Sequence, residues 1–344
     1  MNITALKKII ARFPKARIMV VGDLILDQYI WGTVDRVSPE APVPVVWANK
    51  RTYVPGGAAN VANNISSLDG KACLVGVIGD DAHAKIFKSH LKIRNIDSRG
   101  VFTGSKRHTI LKTRVIAGHQ QVVRVDWEDK VPLPDALNRK ILKFIKDNIK
   151  DFDAVIIEDY GKGVINAELL RDLGAISRLK RKIVTVDPKE EHFLYYRQVT
   201  SITPNRKELE NAVRNLKIKD MTNTFRVNFD RLFTDKDIAL AADEIMKYLG
   251  LESILVTLGE QGMRLFESSG RSTYIPTVAQ EVFDVSGAGD TVISTFTLGL
   301  CAGATKIEAA YLSNFAAGIV VGKLGTAVTT RQELMDRLGN ISKG

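Results

Sequence analysis

The sequence predicts an α/β fold, in which helices cover a mainly parallel central sheet and a small β appendage is attached. The first observation is that short apolar runs alternate with amphipathic helical segments; residues 17–23 (RIMVVGD) are typical of a buried parallel strand. The second is that residues 33–47 and 108–127 interrupt this alternation with extended, β-rich segments. We therefore expect one layered domain over 1–344, with these two segments forming a β lid.

In the first part of the chain, each element follows from its local pattern. Pro39, Pro42 and Pro44 exclude a helix and a central strand from residues 32–47, because proline lacks a backbone N–H. Small residues at 55–60 (PGGAAN) open a helix and allow a ligand to approach the backbone. The predicted elements are a helix over 2–12, a strand over 17–23, a helix ending at about 68, a strand over 72–79 and a helix over 80–94.

Residues 108–127 predict a hairpin, because two alternating β runs flank a turn at Gly118 and His119. Beyond this hairpin the alternation of helices and strands resumes. The predicted elements are helices over 134–150, 165–179 and 235–249, strands over 154–158, 182–187, 199–203 and 253–258, an antiparallel strand over 263–266, and apolar helices over 292–302 and 305–322. Residues 216–234 show no clear period, and we interpret them as a loop or insertion.

The composition is that of an ordinary soluble globular protein, with 45% hydrophobic and 26% charged residues in 344. No apolar run of about 18 residues and no secretory leader occurs, so we expect a cytoplasmic protein with no membrane partner. Cys73 and Cys301 lie far apart in apolar surroundings, as buried reduced thiols do. The formal charge of +10 is dispersed, which argues against nucleic acid and suits small phosphorylated ligands.

The most informative stretch is residues 284–291 (DVSGAGDT), directly before a helical run. Its small residues let successive N–H groups point at one place, where the positive end of the helix dipole adds to them, and this suits an anion. A carboxylate there repels phosphate unless it accepts a proton, so Asp290 suggests a general base beside a transferring phosphoryl group. The alternative is an ordinary Asp N-cap after a flexible turn.

Polar clusters follow several predicted strands. They are Gly22-Asp23, residues 159–162 (DYGK), residues 187–189 (DPK) and residues 205–208 (NRKE). Ligands of open α/β sheets bind beyond the carboxyl ends of the strands, so we expect one site at this edge. The sequence motifs of several other enzyme classes are missing: there is no Gly-Lys-Ser/Thr of a P-loop, no GxGxxG after the first strand, no paired histidine motif and no GxSxG.

Together these blocks resemble the ribokinase-like (pfkB) carbohydrate kinases. The resemblance rests on GAGD at 287–290, Gly56-Gly57 with Asn60, Asp27 five residues after Gly22, and NxxE at 205–208. Ordered blocks between residues 18 and 329, among them RVSPEAPVPV, QQVVRVD, DYGKG and VVGKLGT, resemble the branch that phosphorylates a heptose 7-phosphate. The resemblance implies a ribokinase-like three-layer α/β/α sandwich with a mainly parallel sheet and a small β lid.

The resemblance also implies roles on the transfer and nucleotide side. Asp290 would be the catalytic base, and the N–H groups of Gly287, Ala288 and Gly289 would hold the transferring phosphate. The positions that match nucleotide and Mg²⁺ contacts are Asn205, Arg206, Lys207, Glu208 (Mg²⁺ through water), Gly259, Gly262 and Asn314, and those that match a monovalent cation (K⁺) loop are Asp284 and Ser286. The alternatives are a helix cap for Asn205 with Glu208, which can coexist with the role at Mg²⁺ and the nucleotide, and a packing amide for Asn314.

On the sugar side, the resemblance assigns Asp27 and Asn60 to sugar hydroxyls, with Gly56 and Gly57 allowing close approach of the sugar. A buried structural aspartate is the alternative for Asp27. Five cations remain for a substrate phosphate: Arg107, Arg114, Arg124, Lys162 and Lys189. A lysine on a glycine-rich loop and a guanidinium on a closing lid both suit phosphate, although surface cations are often only solvated.

The implied activity is ATP-dependent phosphorylation of the anomeric C1 hydroxyl of a heptose 7-phosphate, which feeds ADP-heptose and lipopolysaccharide core synthesis. The alternatives are a ribokinase-like kinase for another sugar or nucleoside, and a non-catalytic sugar- or nucleotide-binding regulator. No HxGH-like motif of the cytidylyltransferase domain found in some relatives occurs in this sequence. Because an exposed flat sheet edge needs cover, we expect a homodimer through the β lid.

Overall fold

The structure, a computed structural model, describes residues 2–118, 120–129, 131–220, 225, 232, 234–279 and 281–341. It contains two β-sheets with helices packed around the larger one. In chain order the strands are β1 (Arg17–Gly22), β2 (Leu24–Val37), β3 (Pro44–Gly57), β4 (Lys71–Ile78), β5 (Asp97–Thr103), β6 (Ile110–Ala117), β7 (Gln120–Trp127), β8 (Ala154–Glu158), β9 (Ile183–Asp187), β10 (Ser201–Ile202), β11 (Ser253–Thr257), β12 (Met263–Glu267) and β13 (Ser272–Ile275). The helices are α1 (Ile3–Ile10), α2 (Ala58–Ser67), α3 (Ala82–Ile93), α4 (Asp135–Asn148), α5 (Ala167–Leu179), α6 (Arg206–Lys219), α7 (Asp235–Leu249), α8 (Ala288–Cys301), α9 (Lys306–Val320) and α10 (Arg331–Ile341).

The central sheet has nine strands in the order β13-β12-β11-β10-β9-β8-β1-β4-β5. From β11 to β5 all neighbours are parallel, and only β12 runs antiparallel to its two neighbours. The α/β class, the mainly parallel sheet and the antiparallel strand near 263–266 are thereby confirmed.

Helices cover both faces of this sheet because its strands are apolar on both faces. On β1, Met19 and Val21 pack with α4, α5, α6 and α7. Ile18 and Val20 pack on the opposite face, with α1, α2, α3, α8, α9 and α10. This alternation along one strand is the period-two pattern of a sheet buried on both sides, and it gives three layers.

The second sheet has four strands in the order β3-β2-β6-β7, and we call it the lid sheet. β2 pairs with β3 antiparallel and with β6 parallel, and β7 closes the far edge antiparallel to β6. The predicted β segment 33–47 is too short, because the hairpin extends over Leu24–Gly57. The prolines mark only its tip: Pro39 and Pro42 lie between the strands, and Pro44 begins β3. Asp27 therefore lies on a lid strand.

Several elements differ from the expectation. β5, β13 and α10 were not predicted, and the strand expected over 199–203 is reduced to Ser201–Ile202. The interpretation of 216–234 as a loop is wrong for residues 216–219, because α6, started by a capping box, continues to Lys219. Most of the remainder, and His119 of the predicted turn, lie outside the described residues. Within the described helices, none combines the length and the apolar content needed to cross a bilayer.

Candidate active site

The predicted polar clusters meet at the carboxyl edge of the central sheet. Gly22, Glu158 and Asp187 are aligned in register at the ends of β1, β8 and β9. Asn205 follows β10 and forms an isolated bridge with Thr257 at the end of β11. The start of α8 lies against the same edge, because a carboxylate oxygen of Asp290 is within 4.8 Å of a carboxylate oxygen of Glu158 and of one of Asp187.

The glycine turn forms the start of α8 as expected. Gly287 is its N-cap with φ of 80°, a left-handed conformation that favours glycine, and a Cβ there would lie 2.9 Å from the Asn60 amide nitrogen. Of the three predicted N–H donors, Ala288 donates to the Val285 carbonyl at 3.2 Å. Within the described residues, the N–H groups of Gly287 and Gly289 have no acceptor. An anion at this helix start would therefore meet two available N–H donors.

Asp290 is buried, with 5% of its surface exposed. Asn60 donates to its Oδ2 at 2.6 Å, and the Tyr160 hydroxyl donates to Oδ1 at 3.3 Å. Burial raises the pKa of Asp290 to about 6, and these two hydrogen bonds partly oppose the rise. The residue is thus a held carboxylate with a pKa close to neutral, which is the state a general base needs.

Asp290 faces a small cavity of about 90 Å³. Its walls come from the lid sheet, the loop after β8 and the glycine turn, and include Asp27, Gly56, Gly57, Lys112, Tyr160 and Gly287. Gly56 is required here, because a Cβ would lie 2.2 Å from the Asp27 carboxylate. The structure therefore brings together Asp27, Asn60 and Asp290, which the sequence placed on one site from three distant segments.

Three carboxyl groups, Glu158, Asp187 and Asp290, form one buried cluster. Neither carboxylate oxygen of Glu158 has a hydrogen-bond partner in the described structure. Burial, followed by the neighbouring carboxylates, raises the pKa of Glu158 and of Asp187 well above the ordinary range. Unpartnered buried carboxylate oxygens fit a hard divalent cation such as Mg²⁺.

In the stretch predicted to contact the nucleotide, Asn205 and Glu208 form a reciprocal capping box. The Glu208 N–H donates to Asn205 Oδ1 at 2.9 Å, and the Asn205 N–H donates to Glu208 Oε2 at 2.8 Å. Arg206 and Lys207 line an open cavity of about 310 Å³, and Arg206 donates to Gln261 Oε1 at 2.9 Å. This cavity extends along residues 257–261, so the two predicted nucleotide stretches lie together.

Other predicted nucleotide and cation positions are engaged within the protein. Gly259 and Gly262 have φ of 61° and 90° at the tight turn that lines the 310 Å³ cavity. Asn314 donates to the Pro276 carbonyl at 2.7 Å, which matches the packing alternative. Asp284 accepts the N–H of Ser286 at 2.9 Å and that of Gly325 at 3.2 Å. The monovalent cation at this loop stays a prediction.

One face of the lid sheet is rich in charge. Asp27 pairs in register with Lys112, and Arg114 with Arg124, so these side chains share that face. Arg114 forms a short ion pair with Asp27, and Arg124 pairs with Asp126 at 2.9 Å. Lys162 reaches the lid from the 159–163 loop and pairs with Glu128 at 2.8 Å. We call Lys112, Arg114, Arg124 and Lys162 the lid cations.

The remaining two predicted cations lie differently. The Arg107 guanidinium donates hydrogen bonds to the backbone carbonyls of Val131 and Lys162, each at 2.8 Å. It therefore supports the 159–163 loop. Lys189 lies beside Gly161, and its charge lowers the pKa of Glu208 against the larger effect of burial. Lys189 therefore lies between the 159–163 loop and Glu208, and its contact with a substrate phosphate stays a prediction.

Asp23 and Tyr160 belong to the polar clusters predicted after the strands but were assigned no role of their own, and Lys112 was not predicted at all. Lys112 lies over the Tyr160 ring at 5.4 Å from its centroid, and Tyr160 in turn contacts Asp290. The Asp23 carboxylate accepts hydrogen bonds from the N–H groups of Tyr160, Lys162 and Val164 at 3.1, 2.9 and 3.0 Å. These bonds fix the loop that carries Tyr160 and Lys162. The Gly-Asp at the end of β1 was the available signal for this role.

Comparisons with known proteins agree with this geometry. A protein named bifunctional protein HldE from Helicobacter pylori strain P12 is 43% identical over 318 residues, 92% of this chain and 66% of that protein. Its namesake in Citrifermentans bemidjiense is 40% identical over 335 residues, 96% of this chain and 65% of that protein. The chain thus spans just under two thirds of the length of these relatives.

Solved structures show the same fold at low identity. Arabidopsis thaliana ribokinase complexed with ribose and ATP superposes with a TM-score of 0.71 at 18% identity, covering 94% of this chain and 98% of that one. Escherichia coli phosphofructokinase-2 in complex with potassium gives 0.75 at 20% identity, covering 95% and 99%. The profile described as pfkB family carbohydrate kinase matches residues 15–333. The chain therefore belongs to the pfkB family of carbohydrate kinases.

Proposed function

We propose that this carbohydrate kinase transfers the γ-phosphoryl group of ATP to the anomeric C1 hydroxyl of a heptose 7-phosphate. The observation that carries the proposal is the position of buried Asp290 between the open N–H groups of α8 and the charged lid face. The HldE name of relatives 40–43% identical and the ordered sequence blocks support the heptose, and with it a step in ADP-heptose synthesis.

In the proposed reaction, the Asp290 carboxylate accepts the proton of the acceptor hydroxyl as its oxygen attacks the γ-phosphorus. The bond between that phosphorus and the β,γ-bridging oxygen breaks, and ADP leaves with the electron pair. Asn60 and Tyr160 hold the carboxylate through the hydrogen bonds at 2.6 and 3.3 Å. The N–H groups of Gly287 and Gly289 would meet the charge on the transferring phosphoryl oxygens.

The family implies Mg²⁺ with the nucleotide, and the residues of this site fit it. Asp187 and Glu208 would hold the ion, the latter through water, with Glu158 beside them. Burial, and after it the charge of Glu208, raises the pKa of Asp187, so these two carboxyl groups lie close enough to interact. When bound, Mg²⁺ supplies positive charge that neutralises the phosphate oxygens. The ATP phosphates would then run from α8 toward the cavity at 205–208 and 257–261.

The lid cations are the proposed contacts of the substrate's own phosphate. Lys162 and Arg124 now pair with Glu128 and Asp126, so a phosphate dianion would have to displace these carboxylates. The Lys162–Glu128 pair is largely shielded, with 20% and 12% of the side chains exposed. Burial lowers the pKa of Lys112, and a dianion beside it would raise that pKa again, because the negative charge favours the charged amine.

We expect the rate to fall on the acid side of neutrality. Asp290 must be ionised to accept a proton, and its pKa is about 6. Below that value kcat/KM should drop about tenfold per pH unit, and above it kcat/KM should level off. The check is kcat/KM against pH with ADP release as readout. A flat profile down to the ordinary aspartate range would contradict the role of Asp290.

We also propose that two chains pair through the lid sheet. β7 is one of its two edge strands, and Val123, Val125 and Trp127 on one face are 47, 41 and 61% exposed. An apolar, unpaired edge of this kind suits a second copy of the same strand. Sedimentation at micromolar concentration should show a dimer, and Val125→Lys should weaken it at least tenfold, because it places a charge in the apolar face.

Ile93→Lys is the matched control for this test, since Ile93 is 75% exposed on α3 and lies outside the lid. It should leave the dimer intact. A wild-type monomer, or a dimer that survives Val125→Lys unchanged, would overturn pairing through the lid.

The second candidate is a kinase for another sugar or a nucleoside, since the family fold alone does not fix the acceptor. A panel of phosphorylated and free sugars and nucleosides, assayed for ADP release, separates the two. The proposal expects heptose 7-phosphate to have the highest kcat/KM. A higher value for ribose, fructose 6-phosphate or a nucleoside would move the second candidate to first place.

A further inference from the structure

One helix layer of the central sheet has a gap. The chain passes from β9 to β10 through a single 3-10 turn, Glu190–Tyr195, whereas full helices precede β9 and β11 on this side. α5 and α7 are therefore separated, and the space between them is a groove of about 680 Å³. This lies within the range of about 300–1,000 Å³ that small-molecule sites occupy.

The groove has an apolar base and a cationic rim. Leu170, Leu194 and Leu249 contribute the apolar surface, and the rim carries Arg171, Arg178, Arg197 and Lys247. Arg171 and Lys247 pair with exposed carboxylates of their own helices, Asp172 and Asp243. The Arg178 guanidinium has no hydrogen-bond or ion-pair partner in the part of the chain that the structure describes. The rim therefore offers positive charge that the protein does not neutralise.

Aromatic rings stand beside these cations. Arg197 lies over the Tyr248 ring at 5.2 Å from its centroid, and its Nε donates to the Leu194 carbonyl at 3.2 Å, which fixes the guanidinium. Tyr195 is 39% exposed at the same groove. An aromatic ring beside the guanidiniums of Arg197 and Arg178 can stack on a planar ligand, while the guanidiniums bind the phosphates of that ligand.

An adjoining cavity of about 350 Å³ extends the groove past Arg178 and Gln198 and adds Arg181. Lys182 and Glu252 also line it, but the Lys182 ammonium donates to the Lys150 and Phe152 carbonyls, and Glu252 pairs with Lys306. Ser177 also lines it: the residue is 1% exposed, and its hydroxyl has no partner in the described structure. A buried polar group without a partner is uncommon in a protein interior. The Ser177 hydroxyl is therefore an unused hydrogen-bonding group in the wall of this cavity, within the described structure.

We propose that this groove is a second ligand site, separate from the active site, for a phosphorylated small molecule with a planar ring, that is, a nucleotide. Its walls lead directly to the active site: α5 begins after the 159–165 loop with Asn166 as its cap, and the 3-10 turn follows Lys189. A nucleotide bound here contacts the elements that follow these two connections, α5 from Ala167 onward and the end of the 3-10 turn at Leu194, and can change the kinase rate through them. The proposal does not depend on which sugar is phosphorylated.

ADP is the probe, and hydrogen exchange of the whole chain locates where it binds. The wild type should show ADP-dependent protection at 167–178, 194–198 and 247–250, in addition to the nucleotide stretch at 205–208 and 257–262. The double variant Arg178→Ala/Arg197→Ala should lower the ADP affinity of the groove at least tenfold. It should abolish the first set of protected segments, those of the groove, and keep the second set, the nucleotide stretch at 205–208 and 257–262. Arg139→Ala with Lys140→Ala on α4 removes two exposed cations elsewhere and should change neither set.

Protection confined to the nucleotide stretch, or groove protection that persists in the Arg178/Arg197 variant, would overturn this second site. Protection confined to the groove would instead leave the second site standing and remove the nucleotide side of the proposed kinase site. The two proposals can therefore fail independently.

Discussion

Asp290→Asn is expected to lower kcat by a factor of about 10²–10⁴. The asparagine keeps the shape of the side chain, but it cannot accept the proton of the acceptor hydroxyl. At about 1.4 kcal/mol for each factor of ten, the loss corresponds to about 3 to 5 kcal/mol of transition-state stabilisation. Single-turnover rates at saturating ATP and sugar measure it, with ATP affinity determined separately and expected to stay within a few-fold.

The same variant distinguishes a catalytic role from a structural one. The pKa of Asp290 in the folded chain is about 6, above its ordinary value of 3.8, so ionisation between these values weakens the fold. At neutral pH this charge is present and buried, and replacing it with a neutral amide should leave the melting temperature unchanged or raise it. Asp336→Asn, an exposed carboxylate on α10, is the control. Near-normal turnover of Asp290→Asn would exclude it as the base.

The wild type should prefer heptose 7-phosphate over free heptose by about two to four orders of magnitude in kcat/KM, because two charge-assisted contacts contribute roughly 1.5–3 kcal/mol each. Of the lid cations, Lys112 and Arg114 line the cavity at Asp290, and Lys162 extends from a loop that Asp23 fixes. Lys162→Ala should reduce this ratio at least tenfold while leaving the rate with free heptose nearly unchanged.

Lys106→Ala is the matched control for the phosphate prediction, since Lys106 is an exposed lysine before β6 and outside the lid cations. It should leave the ratio as in the wild type. Equal efficiency with free and phosphorylated heptose would remove the phosphate contact and favour a kinase for a different sugar.

The sequence predicted the central sheet well because its signals are local. Continuous apolar runs such as 17–23 specify strands buried on both faces, and prolines excluded a helix from 32–47. The lid hairpin was underestimated because LILDQYIW in β2 is apolar enough to look like core, and only pairing with β3 shows that it enters the lid. β10 was overestimated, because the length of its pairing depends on its neighbours β9 and β11.

The site was predictable where a residue type carries its chemistry in its motif, as in Asp290 after Gly-Ala-Gly. A site residue was not predictable where its position depends on strand register or on burial in the folded chain. Lys112 is one of many lysines in the sequence, and it becomes notable only because β2 and β6 align it with Asp27. Glu158 looks like the polar end of a strand, and its unpartnered oxygens emerge only from packing.

The most direct test of the proposed function is the position of the phosphate that the enzyme adds. Wild-type enzyme is incubated with ATP, Mg²⁺ and heptose 7-phosphate, and the product is examined by phosphorus NMR. We predict one new phosphate monoester coupled to the anomeric proton, with the 7-phosphate retained and one ADP formed per product. A new phosphate on any other carbon, or no transfer to this sugar while another sugar or nucleoside is phosphorylated, would contradict the account.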